Sequence, residues 1–178
     1  MKLGRFEIFA VETGRFALDG GAMFGVVPKN IWAKTNPPDE KNRIELALRS
    51  MLVIDGKRII LADSGAGDKY TQKQRDIYAI TGGIVQMKER LGGIGLKPDD
   101  VTDVVISHLH FDHAGGNTAI ENERAVPVFR NAVYHVQESH YLWAKNPSPR
   151  DRASFFEENF EPLSASGQLE LHGGNYDL

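Results

Sequence analysis

Three of the chain's six histidines fall within six consecutive positions, with an aspartate among them: His108, His110, Asp112 and His113, in VVISHLHFDHAGGN (104–117). Imidazole nitrogen and carboxylate oxygen are the usual zinc ligands where no sulfur is available. An apolar run climbs to Ile106, so the histidines stand at the end of a buried strand, where residues i and i+2 point the same way. His108 and His110 can therefore converge on one cation. Asp112 and His113 arrive where the chain turns and can face a neighbouring point. Ala114-Gly115-Gly116 then lets backbone pass close by without side chains blocking the mouth. A random shuffle of this composition places H-x-H-x-D-H in only about 4 chains in 10,000. Metal binding is a better account than a loop that happens to be histidine-rich.

The rest of the chain narrows the chemistry. It has 178 residues and no cysteine, which excludes disulfides, thiolate metal sites and cysteine nucleophiles together. A formal net charge of −3, with no block of lysines or arginines, argues against nucleic acid or an anionic membrane as partner. Neither a nucleophile elbow G-x-S-x-G nor a phosphate loop G-x-x-x-x-G-K occurs. The N-terminus lacks a continuous apolar segment and no stretch approaches 18 apolar residues, so a cytoplasmic location is expected.

The elements that must position the cluster read as α/β in a single domain, 1–178. FEIFAV (6–11) reads as a strand, and Asp19-Gly20-Gly21 as a turn between two apolar pieces. PKNIWAKTNPPDEKNR (28–43) reads as a loop. IELALRSMLVIDG (44–56) and KRIILAD form a hairpin about Asp55-Gly56. Residues 70–91 look helical with a break at Thr81-Gly82-Gly83. VTDVVIS is a short buried strand aimed at the histidines. AVYHV (132–136) reads as a strand, ESHYLWA as a helix, the region around Phe155, Phe156 and Phe160 as an aromatic helix, and QLELHGG (168–174) as a last strand.

The segment SHLHFDHAGGN (107–117) resembles the metal motif of the metallo-β-lactamase superfamily. DGGAMFGVVPK (19–29), NRIELALRSMLV (42–53) and LADSGAGDK (61–69) are similar, in the same order, to its lactonase-like branch of N-acyl-homoserine lactonases and organophosphate hydrolases. The resemblance implies a four-layer αββα sandwich, of which the chain supplies the N-terminal part, with a dinuclear metal site on one edge. It assigns His108 and His110 to a first metal and Asp112 and His113 to a second, with Asp112 also handling the proton of the attacking water. Two zinc ions are implied, with manganese, cobalt or iron as substitutes. They would polarise a substrate carbonyl and lower the pKa of a bridging water. Asp63 matches an acidic residue beneath the site that orients a histidine, although Asp-Ser-Gly is also an ordinary turn.

The family pattern then calls for a histidine in a G-H-T-x-G-H-like segment, a bridging aspartate and a last histidine, and these segments do not occur. His172 lies near the spacing of the third ligand, but alternating Leu169 and Leu171 precede it and Gly173-Gly174-Asn175 follow, which reads as a turn. His135, on a strand, and His140, on a helix, read as satisfied or surface histidines. The leading expectation is a metal-dependent hydrolase of an ester, lactone or phosphotriester. A glyoxalase-type thioesterase is one alternative. Another is a catalytically incomplete metal-binding fragment or assembly subunit, inactive alone, that forms a homo-oligomer or is completed by a C-terminal polypeptide. MFG (23–25), YLW (141–143) and FF (155–156) are candidates for a substrate entrance or for core.

Overall fold

The structure is a computed structural model that describes residues 1–177. Leu178, the last position of the expected 1–178 domain, lies outside the described residues. The first half of the chain forms β1 (Lys2–Leu3), β2 (Phe6–Asp19), α1 (Gly20–Phe24), α2 (Lys29–Trp32), β3 (Arg43–Asp55) and β4 (Arg58–Ala62), followed by α3 (Gln72–Tyr78). Next come β5 (Thr81–Gly82), α4 (Ile84–Gly92), β6 (Asp103–Val105) and α5 (Phe111–Ala114). The remainder forms β7 (Thr118–Glu121), β8 (Arg124–Pro127), β9 (Val133–Gln137), α6 (Glu138–Lys145), α7 (Glu161–Ala165) and β10 (Leu169–His172).

One sheet organises the molecule, in the order β1-β2-β3-β4-β6-β9-β10, with β5 added to β2. Its first part is antiparallel: β2 and β3 pair from Glu7↔Ile54 to Asp19↔Arg43, with a bulge between Glu12 and Gly14. β3 returns as β4 through Asp55-Gly56, where Gly56 takes φ 61°. From β4 onward the pairs β4-β6, β6-β9 and β9-β10 are parallel. Parallel neighbours require crossovers, and the helical segments between them supply these on one face of the sheet.

That face buries the main core. Val11, Leu52, Leu61, Val104, Tyr134 and Val136 meet Met87 and Leu91 of α4, Leu163 of α7 and Phe160, which precedes α7. Leu52 and Leu61 are fully buried, and burying each such side chain stabilises by roughly 1.5–3 kcal/mol. On the opposite face the registers align Ala10, Met51, Ala62, Val105, His135 and Glu170 in one row across six strands. Met51 is 50% exposed there. The described residues thus build one large sheet and its helical cover, two layers of the four in the αββα sandwich, with β7 and β8 pairing apart as a small antiparallel sheet. Among the described residues, no helix is long and apolar enough to cross a membrane.

Three segments differ from the sequence reading. Asp19-Gly20-Gly21, read as a turn between two apolar pieces, is a helix start: Asp19 Oδ1 accepts from the Ala22 amide at 2.8 Å and caps α1. The 28–43 loop contains α2, whose Trp32 stacks on Phe24 at 5.1 Å. The expected aromatic helix is two 3-10 turns, Arg152–Ser154 and Glu157–Asn159. Phe155 and Phe160 enter the main core while Phe156 packs with a second cluster around Phe111. A continuous helix would hold 156 and 160 on one face and could not serve both clusters.

Candidate metal centre

The cluster forms where β6 leaves the carboxyl edge of the parallel strands, the usual location of sites in open α/β sheets. Leu109 and Phe111 are buried, whereas His108 and His110, which alternate with them, are half-buried and turned outward. Alternation along an extended segment therefore puts both imidazoles on the same, outward side. The rings of His108 and His110 lie 4.5 Å apart between centroids, and those of His108 and His113 3.9 Å apart. Asp112 Oδ2 sits 3.4 Å from His113 Nε2. The four side chains share one edge of the sheet.

Asp63, at the end of β4, holds this arrangement. Its backbone takes a left-handed φ of 58°, which Asp tolerates better than most residues. Its amide donates to the Val105 carbonyl at 2.9 Å. Its carboxylate accepts from the Ser107 amide and the Ser107 hydroxyl, each at 2.8 Å, and from His113 Nδ1 at 2.8 Å. That last bond places the His113 proton on Nδ1 and leaves the Nε2 lone pair facing Asp112. Burial works to raise the Asp63 pKa, but the hydrogen bonds from His113 and Ser107 outweigh it and hold the carboxyl below its ordinary value. Burial likewise opposes the charge of His113, yet the Asp63 bond and the Asp112 charge raise its pKa.

The other two imidazoles are held neutral. Burial, reinforced by His113 and His110, pushes His108 down to about 4. Burial also lowers His110. Neutral imidazoles and a carboxylate beside a tautomer-fixed histidine are donor types that suit a divalent cation. His140 contributes differently: its Nε2 accepts from the Leu109 amide at 2.8 Å, pinning the backbone between His108 and His110. Neither Ser107 nor His140 carries a sequence signal for these roles, because each depends on a contact 31 or more residues away.

The glycines close the site from beneath. The Ser64 amide donates to the His113 carbonyl at 2.8 Å, and the Gly116 amide to the Gly65 carbonyl at 2.9 Å. The 64–67 and 114–117 loops touch backbone to backbone, so a Cβ on Gly116 would stand 2.1 Å from the Ser64 oxygen. Lys69, largely buried and lowered to about 8 by desolvation, donates to the Gly115 and Thr118 carbonyls. On the outer side Phe155 lies 4.9 Å from the His110 ring and 5.9 Å from Trp143. Of the aromatic stretches, Tyr141, Phe155 and Phe156 pack into the core clusters, Phe155 with its ring edge against His110, whereas Trp143 stays exposed beside His140.

His172 does not join this centre. It is buried on β10 with Nε2 2.9 Å from His135 Nδ1. His135 is buried and bonded on both ring nitrogens, to His172 and to Asp103.

The N-acyl homoserine lactonase AiiB of Agrobacterium fabrum is 27% identical to this chain over 117 residues, which is 61% of the chain and 42% of that protein. An N-acyl homoserine lactonase of Bacillus cereus is 59% identical over 29 residues, 16% of the chain and 12% of that protein. A solved structure described as a probable metal-dependent hydrolase from Staphylococcus aureus superposes with a TM-score of 0.90 at 29% identity, over 99% of this chain and 62% of that one. The chain thus spans less than half the length of the curated relatives it matches. The family model described as the metallo-beta-lactamase superfamily matches residues 46–173, a span that begins on β3 and takes in Asp63 and the whole 108–113 cluster, and the chain belongs to that superfamily.

Proposed function

We propose that the protein carrying these residues is a metal-dependent hydrolase that opens a lactone or a related ester or phosphotriester. His108 and His110 would hold one divalent cation, and Asp112 and His113 a second, zinc being the best match to the donor set. When bound, such cations supply Lewis-acid polarisation and make water acidic enough to attack near neutrality. The chain's own residues do the rest. Asp63 fixes the His113 tautomer and keeps its Nε2 on the Asp112 side. Asp112, half-buried at the rim, is placed to take the proton of the attacking water. Trp143, exposed beside His140 and over the buried Phe155, offers an apolar surface near the histidines that suits an acyl chain.

The observation that carries this reading is the Asp63–His113–Asp112 line, in which Asp63 fixes the imidazole by its Nδ1 and the other ring nitrogen stands 3.4 Å from an Asp112 carboxylate oxygen. The relatives named N-acyl homoserine lactonase favour a lactone among the three substrate classes. A small-molecule substrate and a cytoplasmic setting complete the proposal. The test is hydrolysis of N-acyl homoserine lactones, aryl esters and a phosphotriester, after loading with zinc, manganese or cobalt. Lactone opening that falls at least about 100-fold in Asp112→Asn, with zinc still bound, is the expected result. Full turnover in Asp112→Asn would remove Asp112 from the mechanism. Zinc binding with no turnover of any substrate would favour a metal-binding element without activity of its own.

A further inference from the structure

A second group of ligand-type side chains stands on the open face of the sheet. His135 on β9 and Glu170 and His172 on β10 bring one ligand atom each to within 4.8 Å of one another. The parallel register sets Glu170 directly beside His135. His135 Nδ1 lies 2.9 Å from His172 Nε2 and 3.9 Å from Glu170 Oε2. On its far side, His135 Nε2 meets Asp103 Oδ1 at 3.0 Å. Asp103 accepts in turn from Thr102 Oγ1 at 2.7 Å and Arg58 Nη2 at 3.3 Å. An aspartate so anchored takes the Nε2 proton of His135 as donor, which leaves the Nδ1 lone pair aimed at His172 and Glu170.

Three ligand atoms therefore border one point; the single proton that the two imidazoles share leaves the Glu170 carboxylate unmatched, and a bound cation would displace that proton from His172 Nε2 to its Nδ1. We propose that His135, Glu170 and His172 form a second divalent-metal site, zinc by ligand type, separate from the 108–113 centre. Two imidazoles and one carboxylate with an open fourth position are an established zinc donor set, and Asp103 behind His135 supplies the carboxylate–histidine–metal arrangement that fixes ring and tautomer. Tetrahedral zinc spaces its nitrogens at about 3.3 Å, so the observed pair needs to open by only a fraction of an ångström. A cleft of about 540 Å³, bordered by Ser107, Gln137, Asn175 and Asp177, reaches the point and leaves room for a water ligand. Among the described residues β10 pairs only with β9. A cation there ties this outer strand to the sheet.

The test separates the two centres. In the full chain carrying His110→Ala and Asp112→Asn, isothermal titration with zinc should still find one site per chain, and saturating zinc should raise Tm by about 5–10 °C. Adding Glu170→Gln should weaken that binding at least about 10-fold while leaving the metal-free Tm unchanged, because this side chain is half-exposed. Adding His172→Gln instead should abolish it. If His172→Gln does not fold, Glu170→Gln decides alone. No zinc in the double variant, or equal affinity with and without Glu170→Gln, would overturn the site.

Discussion

Asp63 shows how much of the centre rests on one carboxylate outside the motif. It satisfies Ser107 twice and His113 once, from a left-handed backbone position that few residue types occupy. Asp63→Asn keeps the shape but replaces one acceptor oxygen by an NH2 group and removes the charge that favours the Nδ1 tautomer. Zinc affinity at the 108–113 centre should fall about 10- to 100-fold with the fold intact, as chelator competition would measure. An unchanged affinity would reduce Asp63 to a turn residue. His108 gives a pH signature. Its folded pKa of about 4 lies below the unfolded value near 6.5, so the unfolded chain takes up the proton first as pH falls. The stability tied to neutral His108 is present above pH 6.5 and is lost as pH drops toward 4. His113, raised, acts in the opposite sense: its protonated form adds stability below 6.5 that disappears as pH rises through its folded pKa. In metal-free urea unfolding, His108→Asn should therefore be less acid-sensitive than the parent between pH 6.5 and 4. Parallel pH curves for the two proteins would contradict the burial of His108.

At the level of elements, the sequence was most legible where a signal is local. The β3–β4 hairpin carries Asp-Gly and alternating apolar residues, and the strand before the histidines is a short apolar run with an abrupt polar end. The β7–β8 hairpin was not legible, because its turn is Asn122-Glu123, both with positive φ and neither a glycine. The 152–160 segment departs from a helix because its phenylalanines serve different clusters, which no periodicity encodes. The glycine loops lie between these cases: their composition signals turns, but only the fold reveals that 64–67 and 114–117 press against each other. Gly116→Ala tests this contact. A methyl 2.1 Å from the Ser64 oxygen forces the loops apart. The expected cost is about 1–3 kcal/mol of stability, accompanied by weaker zinc binding because His113 rides on the displaced loop. A variant with parental Tm and zinc affinity would show that the loops separate freely.

Across the whole molecule the sheet has two faces of opposite fate, and adjacent residues of β3 belong to different ones. Leu52 points into the helical cover and is fully buried, whereas Met51, one position earlier, lies on the other face at 50% exposure beside a groove of about 360 Å³ lined by Ile8 and Ala10. The sequence shows both as apolar, so it cannot rank them; the difference arises from which face the crossover segments cover. Leu52→Ala should cost about 2–5 kcal/mol in urea unfolding, since it removes fully buried methyl groups and leaves a cavity. Met51→Lys should cost under about 1 kcal/mol, because the long aliphatic stem stays on the sheet and the ammonium reaches water. The same substitution should lower the fluorescence of the dye ANS, which reports accessible apolar surface, while Leu52→Ala should not. Equal destabilisation by the two substitutions would mean that the Met51 face is covered in solution, and the two-layer description of residues 1–177 would then be wrong.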